Sequence, residues 1–191
     1  MKTKLPVLIA FTAFAVLVVG FVLSPIPAAR GLVQAARTGD EARLEQLVDF
    51  PAFRDSLKQQ LGAELSGEVR GKSHGLGGLA AMLAPTLVDG AVDALVTPKT
   101  VATIVRTART PDARSVLRGD GEQAVAADAA SAEAKPKSSI KQSYGYRGLN
   151  VFAVTLTDTD RPDRHLALLM ERRGLIGWKL AGLELTRDRG Q

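Results

Sequence analysis

The sequence predicts an α+β protein: an N-terminal transmembrane helix, then several helices packed on a C-terminal four-stranded antiparallel sheet, for which a cone-like curl is one available form. Three observations carry this. Leu5 to Leu23 is an unbroken apolar run with no charged side chain, preceded by Lys2 and Lys4. From Ala28 to Val105 apolar residues recur at helical spacing, and from Ile140 onward they alternate.

At about 1.5 Å of rise per helical residue, the leading run spans roughly the 30 Å hydrocarbon core of a bilayer. Short flanks rich in lysine resist translocation, so Lys2 and Lys4 are expected to stay in the cytoplasm while the remainder is exported to the periplasmic side. The competing reading is a cleaved signal peptide. Its apolar core is usually only about 7 to 15 residues, and the nearest cleavage-like triplet here, Ile26-Pro27-Ala28, carries a proline. The chain then divides into an anchor (1–27), a helical part (28–109), an Ala-rich mobile connector (110–139) and a sheet part of the same domain (140–191). With no cysteine, disulfides, thiolate metal sites and a lipidated cysteine are excluded. The net charge of +5 is a mild excess that suits anionic headgroups. Scattered basic residues and an aromatic content of 5% argue against a nucleic-acid partner.

Along the exported part, Leu32, Val33, Ala35 and Ala36 give a helical stripe from Ala28 to Thr38, which Gly39 ends. Asp40 caps the next helix, completing a tight helical hairpin, and Asp49-Phe50-Pro51 repeats the logic of an acidic cap with proline in the first turn. Phe53, Leu57, Leu61 and Leu65, spaced four apart, make the helix from about Pro51 to Leu65 the clearest amphipathic element. Gly71 to Gly78 reads as a flexible joint. Leu79 to Val96 is apolar except for a stripe of Thr86, Asp89 and Asp93, which predicts the most buried helix of the domain. Its aspartates argue against a second membrane span. Thr97-Pro98 starts a short helix through Val101, Ile104 and Val105. The stretch from Thr110 to Ser139 has too few large apolar residues to bury much. Strands are expected at Ile140–Tyr146, Asn150–Thr157, His165–Arg172 and Gly177–Leu185, joined by short turns into an antiparallel meander. Both faces of the third strand are apolar. Helices cover only one face, so the other must meet a curved continuation of the sheet, a partner or a pocket.

The candidate site residues are few. Tyr144, Tyr146, Phe152 and Trp178 sit on the sheet, where their faces could line a cavity for an apolar ligand, with Lys179, Glu171 and Arg172 as polar ends. Packing is the ordinary role of strand aromatics. Asp89 and Asp93 lie one helical turn apart, and paired carboxylates can share a proton or bind a cation; the alternative is a solvated stripe on a buried helix. The run Ser66 to Ser73 ends in Gly-Lys-Ser, but its glycines, Gly67 and Gly71, are one residue too close for a phosphate-binding loop. His74 and His165 lie in different elements without a paired ligand motif, and no nucleophile elbow is present.

Three segments carry a resemblance: Val48 to Leu61 (VDFPAFRDSLKQQL), Val92 to Pro98 (VDALVTP) and Gly177-Trp178-Lys179-Leu180. They resemble the recurring blocks of a bacterial envelope family known as domain of unknown function 2939. The resemblance implies a membrane-anchored single domain with no assigned activity, no cofactor and no established catalytic residues. Helices followed by a curved antiparallel sheet are also similar to the cone-shaped fold of nuclear transport factor two, a likeness of fold that does not specify function. The expected function is a membrane-anchored extracytoplasmic module that binds a small apolar ligand or an envelope protein. The alternatives are a small cone-fold hydrolase or isomerase using Asp89, Asp93 or a sheet carboxylate, and a structural partner of another membrane protein.

Overall fold

The structure, a computed structural model, describes residues 4–71, 88–110, 115–116, 118–133, 140–159 and 164–187. The expected joint after Gly71, His74, and the part of the Leu79 to Val96 helix before residue 88 lie outside the described residues.

Helix α1 (Lys4–Leu23) is the apolar run, and its 20 residues rise about 30 Å. From Ile9 onward, its large apolar side chains face outward. Ile9, Phe11, Phe14, Leu17, Val19 and Leu23 are all exposed. Helix α2 (Pro25–Thr38) starts earlier than expected, because Pro25 and Pro27 fall in its first turn, where a missing amide hydrogen costs little. It ends as expected at Gly39, whose φ of 69° is the left-handed conformation glycine adopts without strain. Helix α3 (Glu41–Leu47) is capped by Asp40, whose carboxylate accepts the Arg43 amide at 3.0 Å. Val48 then leaves the helix in extended conformation and forms a bridge to Leu180. Asp49 donates its amide to the Leu180 carbonyl at 2.8 Å and caps helix α4 (Phe50–Gly71) through the Ala52 amide at 3.3 Å.

Phe53, Leu57 and Leu61 of α4 are buried, as their spacing predicts. The helix runs past Leu65 to Gly71, so Gly67 and its neighbours are helical rather than a phosphate cradle. Residues 88–95 form helix α5, with Val88, Val92 and Leu95 buried and Asp89 and Asp93 exposed. Helix α6 (Pro98–Thr107) starts at the expected Thr97 cap, where the Thr97 hydroxyl accepts the Thr100 amide. Among the described residues α6, not α5, is the helix buried all round. Its threonines count as polar in a sequence pattern, yet Thr103 and Thr107 donate back to the carbonyls of Lys99 and Thr103 and enter the core satisfied. Within the Ala-rich stretch, Gly121–Glu133 forms helix α7, consistent with alanine's high helix propensity, and Val116 and Gly121 are buried.

Strands β1 (Ile140–Gly148), β2 (Val151–Asp158), β3 (Arg164–Arg173) and β4 (Gly177–Arg187) form the predicted meander in the order β1-β2-β3-β4, antiparallel throughout. One face carries Phe152, Val154, Leu156, Leu166, Leu168, Met170, Leu180 and Leu183, all buried with the helices in a single core. The other face mixes small residues, among them Gly145, Ala153, Ala167 and Gly182, with Leu169, Glu171 and Lys179. Across it Arg147 of β1 reaches Glu184 of β4 at 3.7 Å. This ion pair spans the whole width of the sheet, from one outermost strand to the other.

The two sheet edges differ. Along β4, the Ser56 hydroxyl accepts the Leu183 amide (3.1 Å) and donates to the Leu183 carbonyl (3.2 Å), and Val48-Asp49 takes up the Leu180 carbonyl. A Cβ on Gly182 would lie 2.7 Å from the Ser56 oxygen, so glycine permits this approach. Along β1, no backbone group of the described residues pairs with the outer edge.

Candidate functional site

The chain concentrates its aromatic and cationic chemistry where α1 ends. Proline at position 25 has no amide hydrogen, so the carbonyl of Phe21, four residues back, lacks its helical donor. The Ser24 hydroxyl replaces it, donating to the Phe21 carbonyl at 2.8 Å. The Trp178 indole Nε1–H in turn donates to the Ser24 oxygen at 2.8 Å, and the Tyr146 hydroxyl donates to the Val22 carbonyl at 2.6 Å. Two sheet aromatics therefore attach their polar ends to the proline-interrupted turn at the end of α1.

Strand alternation places these rings together. Tyr146 pairs with Phe152, Tyr144 with Val154 and Trp178 with Arg172, all on the face that carries the core. Phe152 contacts Tyr146 edge-on at 5.1 Å, Tyr144 in a stacked arrangement at 6.3 Å and Trp178 at 6.3 Å. Phe152 and Trp178 are buried, whereas Tyr144 and Tyr146 are exposed. The Arg172 guanidinium carbon lies 3.8 Å from the Phe21 ring centre and 4.4 Å from that of Trp178, which couples α1 to the sheet by cation–π attraction. Its amino groups donate to the carbonyls of Leu175 (2.8 Å) and Leu149 (3.4 Å), tying together the β3–β4 and β1–β2 turns. No carboxylate of the described residues pairs with Arg172, and its Nε is buried without a hydrogen-bond partner.

Lys179 follows Trp178 and pairs in register with Glu171, so it belongs to the opposite face. Asp89 and Asp93 stand elsewhere, on α5 facing α4. Lys58 lies 3.6 Å from Asp89 and 3.1 Å from Asp93, and Arg54 lies 3.9 Å from Asp93. The hydrogen bond that the Lys58 ammonium donates to Asp93 raises the Lys58 pKa above its ordinary value. Both carboxylates are exposed, which is the geometry of a helix-to-helix ion pair rather than of a desolvated pair sharing a proton. Among the described residues, no hydrogen bond, ion pair or ring contact joins these aspartates to the aromatic cluster.

A second clamp escaped sequence reasoning. Arg173 donates from Nε and Nη2 to one Asp49 oxygen at 3.0 and 2.8 Å, and from Nη1 to Glu171 at 2.8 Å. The hydrogen bond from Arg173 holds the Asp49 carboxyl below its ordinary pKa against a partial burial that would raise it. Asp49 thus caps α4 and fastens its start to the end of β3. Ser24 was equally missed. Its signal is its position one residue before Pro25, beside the carbonyl that the proline leaves open.

Residues 14–104, just under half of the chain, match the model of a family described as protein of unknown function (DUF2939). No curated protein and no solved structure matches the chain. The matched span holds the first two resembling blocks, and Gly177 to Leu180 lies beyond it. From the second half of α1 into α6, this chain resembles that family of unknown function.

Proposed function

We propose that this protein is a single-pass membrane protein whose domain is held in a fixed pose on the extracytoplasmic face of the membrane, where it binds an envelope partner. The observation that carries the reading is the junction itself: Phe21, Val22 and Ser24 at the end of an apolar helix are gripped by Arg172, Tyr146 and Trp178 of the sheet. The energetics of α1 support a lipid surrounding. Its exposed large side chains, from Ile9 to Leu23, number ten; at only about 1 kcal/mol each, their exposure to water would cost as much as a typical domain's whole stability. Lys2 and Lys4 ahead of the run favour a cytoplasmic N-terminus.

Tyr146 and Trp178 spend their polar ends on the anchor, so the aromatic cluster serves as a dock in this reading and not as a ligand cavity. The surface offered to a partner is the outer edge of β1 with Tyr144 beside it. A row of open backbone donors and acceptors is satisfied by an extended polypeptide segment adding as a further strand.

Orientation is tested by labelling. The chain has no cysteine, so a single Asp120→Cys substitution at an exposed position reports one site. A membrane-impermeant maleimide is expected to label it in spheroplasts before lysis. Labelling only after lysis refutes the orientation. For the partner surface, a photo-crosslinking residue at Lys141 in living cells is expected to give an adduct of defined mass that the same residue at Asp120 does not give. Identical results at the two positions refute the β1 assignment.

A further inference from the structure

Three large apolar side chains stand out from the folded body: Leu149 is 86% exposed, Leu175 82% and Ile176 74%. All three belong to turns. Leu149 lies between β1 and β2, and Leu175 and Ile176 lie between β3 and β4. In an antiparallel meander these two turns share one end of the sheet. Arg172 joins them directly through the Leu175 and Leu149 carbonyls, and the same guanidinium lies against Phe21, in the last turn of α1. The exposed apolar tips are therefore continuous with the end of the apolar helix.

From this juxtaposition we infer that the two hairpin tips are a second membrane contact, with Leu149, Leu175 and Ile176 embedded in the interfacial layer of the same bilayer that α1 spans. The inference rests on the proposed membrane reading of α1. Its occupant is lipid, because the patch adjoins the anchor and the groups around it are those of a membrane–water boundary. Tyr146 and Trp178 are amphipathic rings of the kind that collect there, each with an apolar body and a bonded polar end. Arg172 carries a charge with no acidic partner among the described residues, which suits a layer of anionic phosphates. It also takes up turn carbonyls that would otherwise enter a poorly hydrated layer unpaired.

The test uses the full-length chain reconstituted in phosphatidylcholine vesicles containing nitroxide lipids. Single substitutions Leu149→Cys, Leu175→Cys and Ile176→Cys carry an environment-sensitive fluorophore. Val16→Cys in the anchor and Lys141→Cys at the far end of β1 serve as references. For tips lying roughly 5–10 Å into the boundary layer, quenching is expected to exceed that at Lys141 by about threefold. Adding Ile176→Asp to the Leu149→Cys chain is expected to remove most of that excess. Because position 176 is an exposed turn, this change leaves the core intact. Tip quenching equal to that at Lys141, with Val16 strongly quenched, overturns the inference and leaves the anchor reading standing. A Val16 probe unquenched and open to water overturns both. Disulfide-linked dimers of the unlabelled Ile176→Cys chain, with no lipid quenching of the labelled one, overturn the inference in favour of contact between copies.

Discussion

Replacing Arg172 by alanine should loosen α1 from the sheet, and the structure sets the size of the effect. The guanidinium lies against two rings, Phe21 at 3.8 Å and Trp178 at 4.4 Å; each such contact at a partly exposed site contributes about 0.5–1 kcal/mol. Its 2.8 Å bond to the Leu175 carbonyl adds about 1 kcal/mol at this exposed position, and the 3.4 Å bond to Leu149 adds little. The expected loss is about 2–3 kcal/mol. Arg172→Lys keeps the charge but not the planar fork, so it should recover less than half of it. The assay is urea unfolding of the full-length chain in detergent micelles, followed by Trp178 fluorescence, which is unambiguous because the chain has one tryptophan. With a slope of about 2 kcal/mol/M the midpoint should fall by about 1 M. A double-mutant cycle with Phe21→Leu isolates the anchor's share, with an expected coupling of about 0.5–1 kcal/mol. No coupling between positions 21 and 172, with a total loss below about 0.5 kcal/mol, would refute the idea that these side chains hold the junction.

Other outcomes follow from the same geometry. Asp49 has its pKa depressed in the folded state, so its stabilising contribution is fully present above the ordinary carboxylate range and is lost as pH falls through the folded value. Asp49→Asn should therefore cost about 0.5 kcal/mol near neutrality, after allowance for solvent screening. The difference from the parent should vanish in acid, read as converging denaturation midpoints. Ser56→Ala leaves both the amide and the carbonyl of Leu183 without a partner. It should cost about 2 kcal/mol in the same unfolding assay, an expectation refuted by an unchanged midpoint. Asp93→Asn removes exposed pairs with Lys58 and Arg54 and should lower the denaturation midpoint only slightly, an effect that salt abolishes; a large, salt-independent loss would contradict the surface-pair assignment.

What the sequence made legible is what depends on neighbours along the chain. The caps at Asp40, Asp49 and Thr97, the stop at Gly39 and the period-four stripe of Phe53, Leu57 and Leu61 are local statements, and each lies where it was read. The strands match within a residue or two because alternation against short turns leaves little freedom of register. The core position of α6 was hidden because its threonines satisfy themselves internally, which a polar–apolar pattern cannot register. The junction was hidden for a different reason. Tyr146 meets Val22 and Trp178 meets Ser24 across more than a hundred residues, so alternation could put the aromatics on one face without showing what that face touches.

If α1 is the membrane anchor we propose, those long-range contacts decide what kind of anchored protein this is. A domain that searches for distant partners needs a flexible leash, and Gly/Ser-rich linkers provide one. Here a single residue, Ser24, separates α1 from α2, and its φ of −55° and ψ of −30° keep it in helical conformation. The direction of the apolar helix is thereby passed to α2, whose Ala29, Leu32, Ala35 and Ala36 are locked in the core. Arg172, Tyr146 and Trp178 fix the same joint from the sheet side. Two independent constraints on one joint leave the domain little freedom to swing relative to α1; in the proposed membrane reading, a partner meets the domain at the height set by the turn around Ser24. Inserting a few glycines after Ser24 separates the constraints. The chain should remain in the membrane, because α1 is intact, while tip quenching and any β1 crosslink fall together. Persistence of both signals would show that the joint does not set the pose.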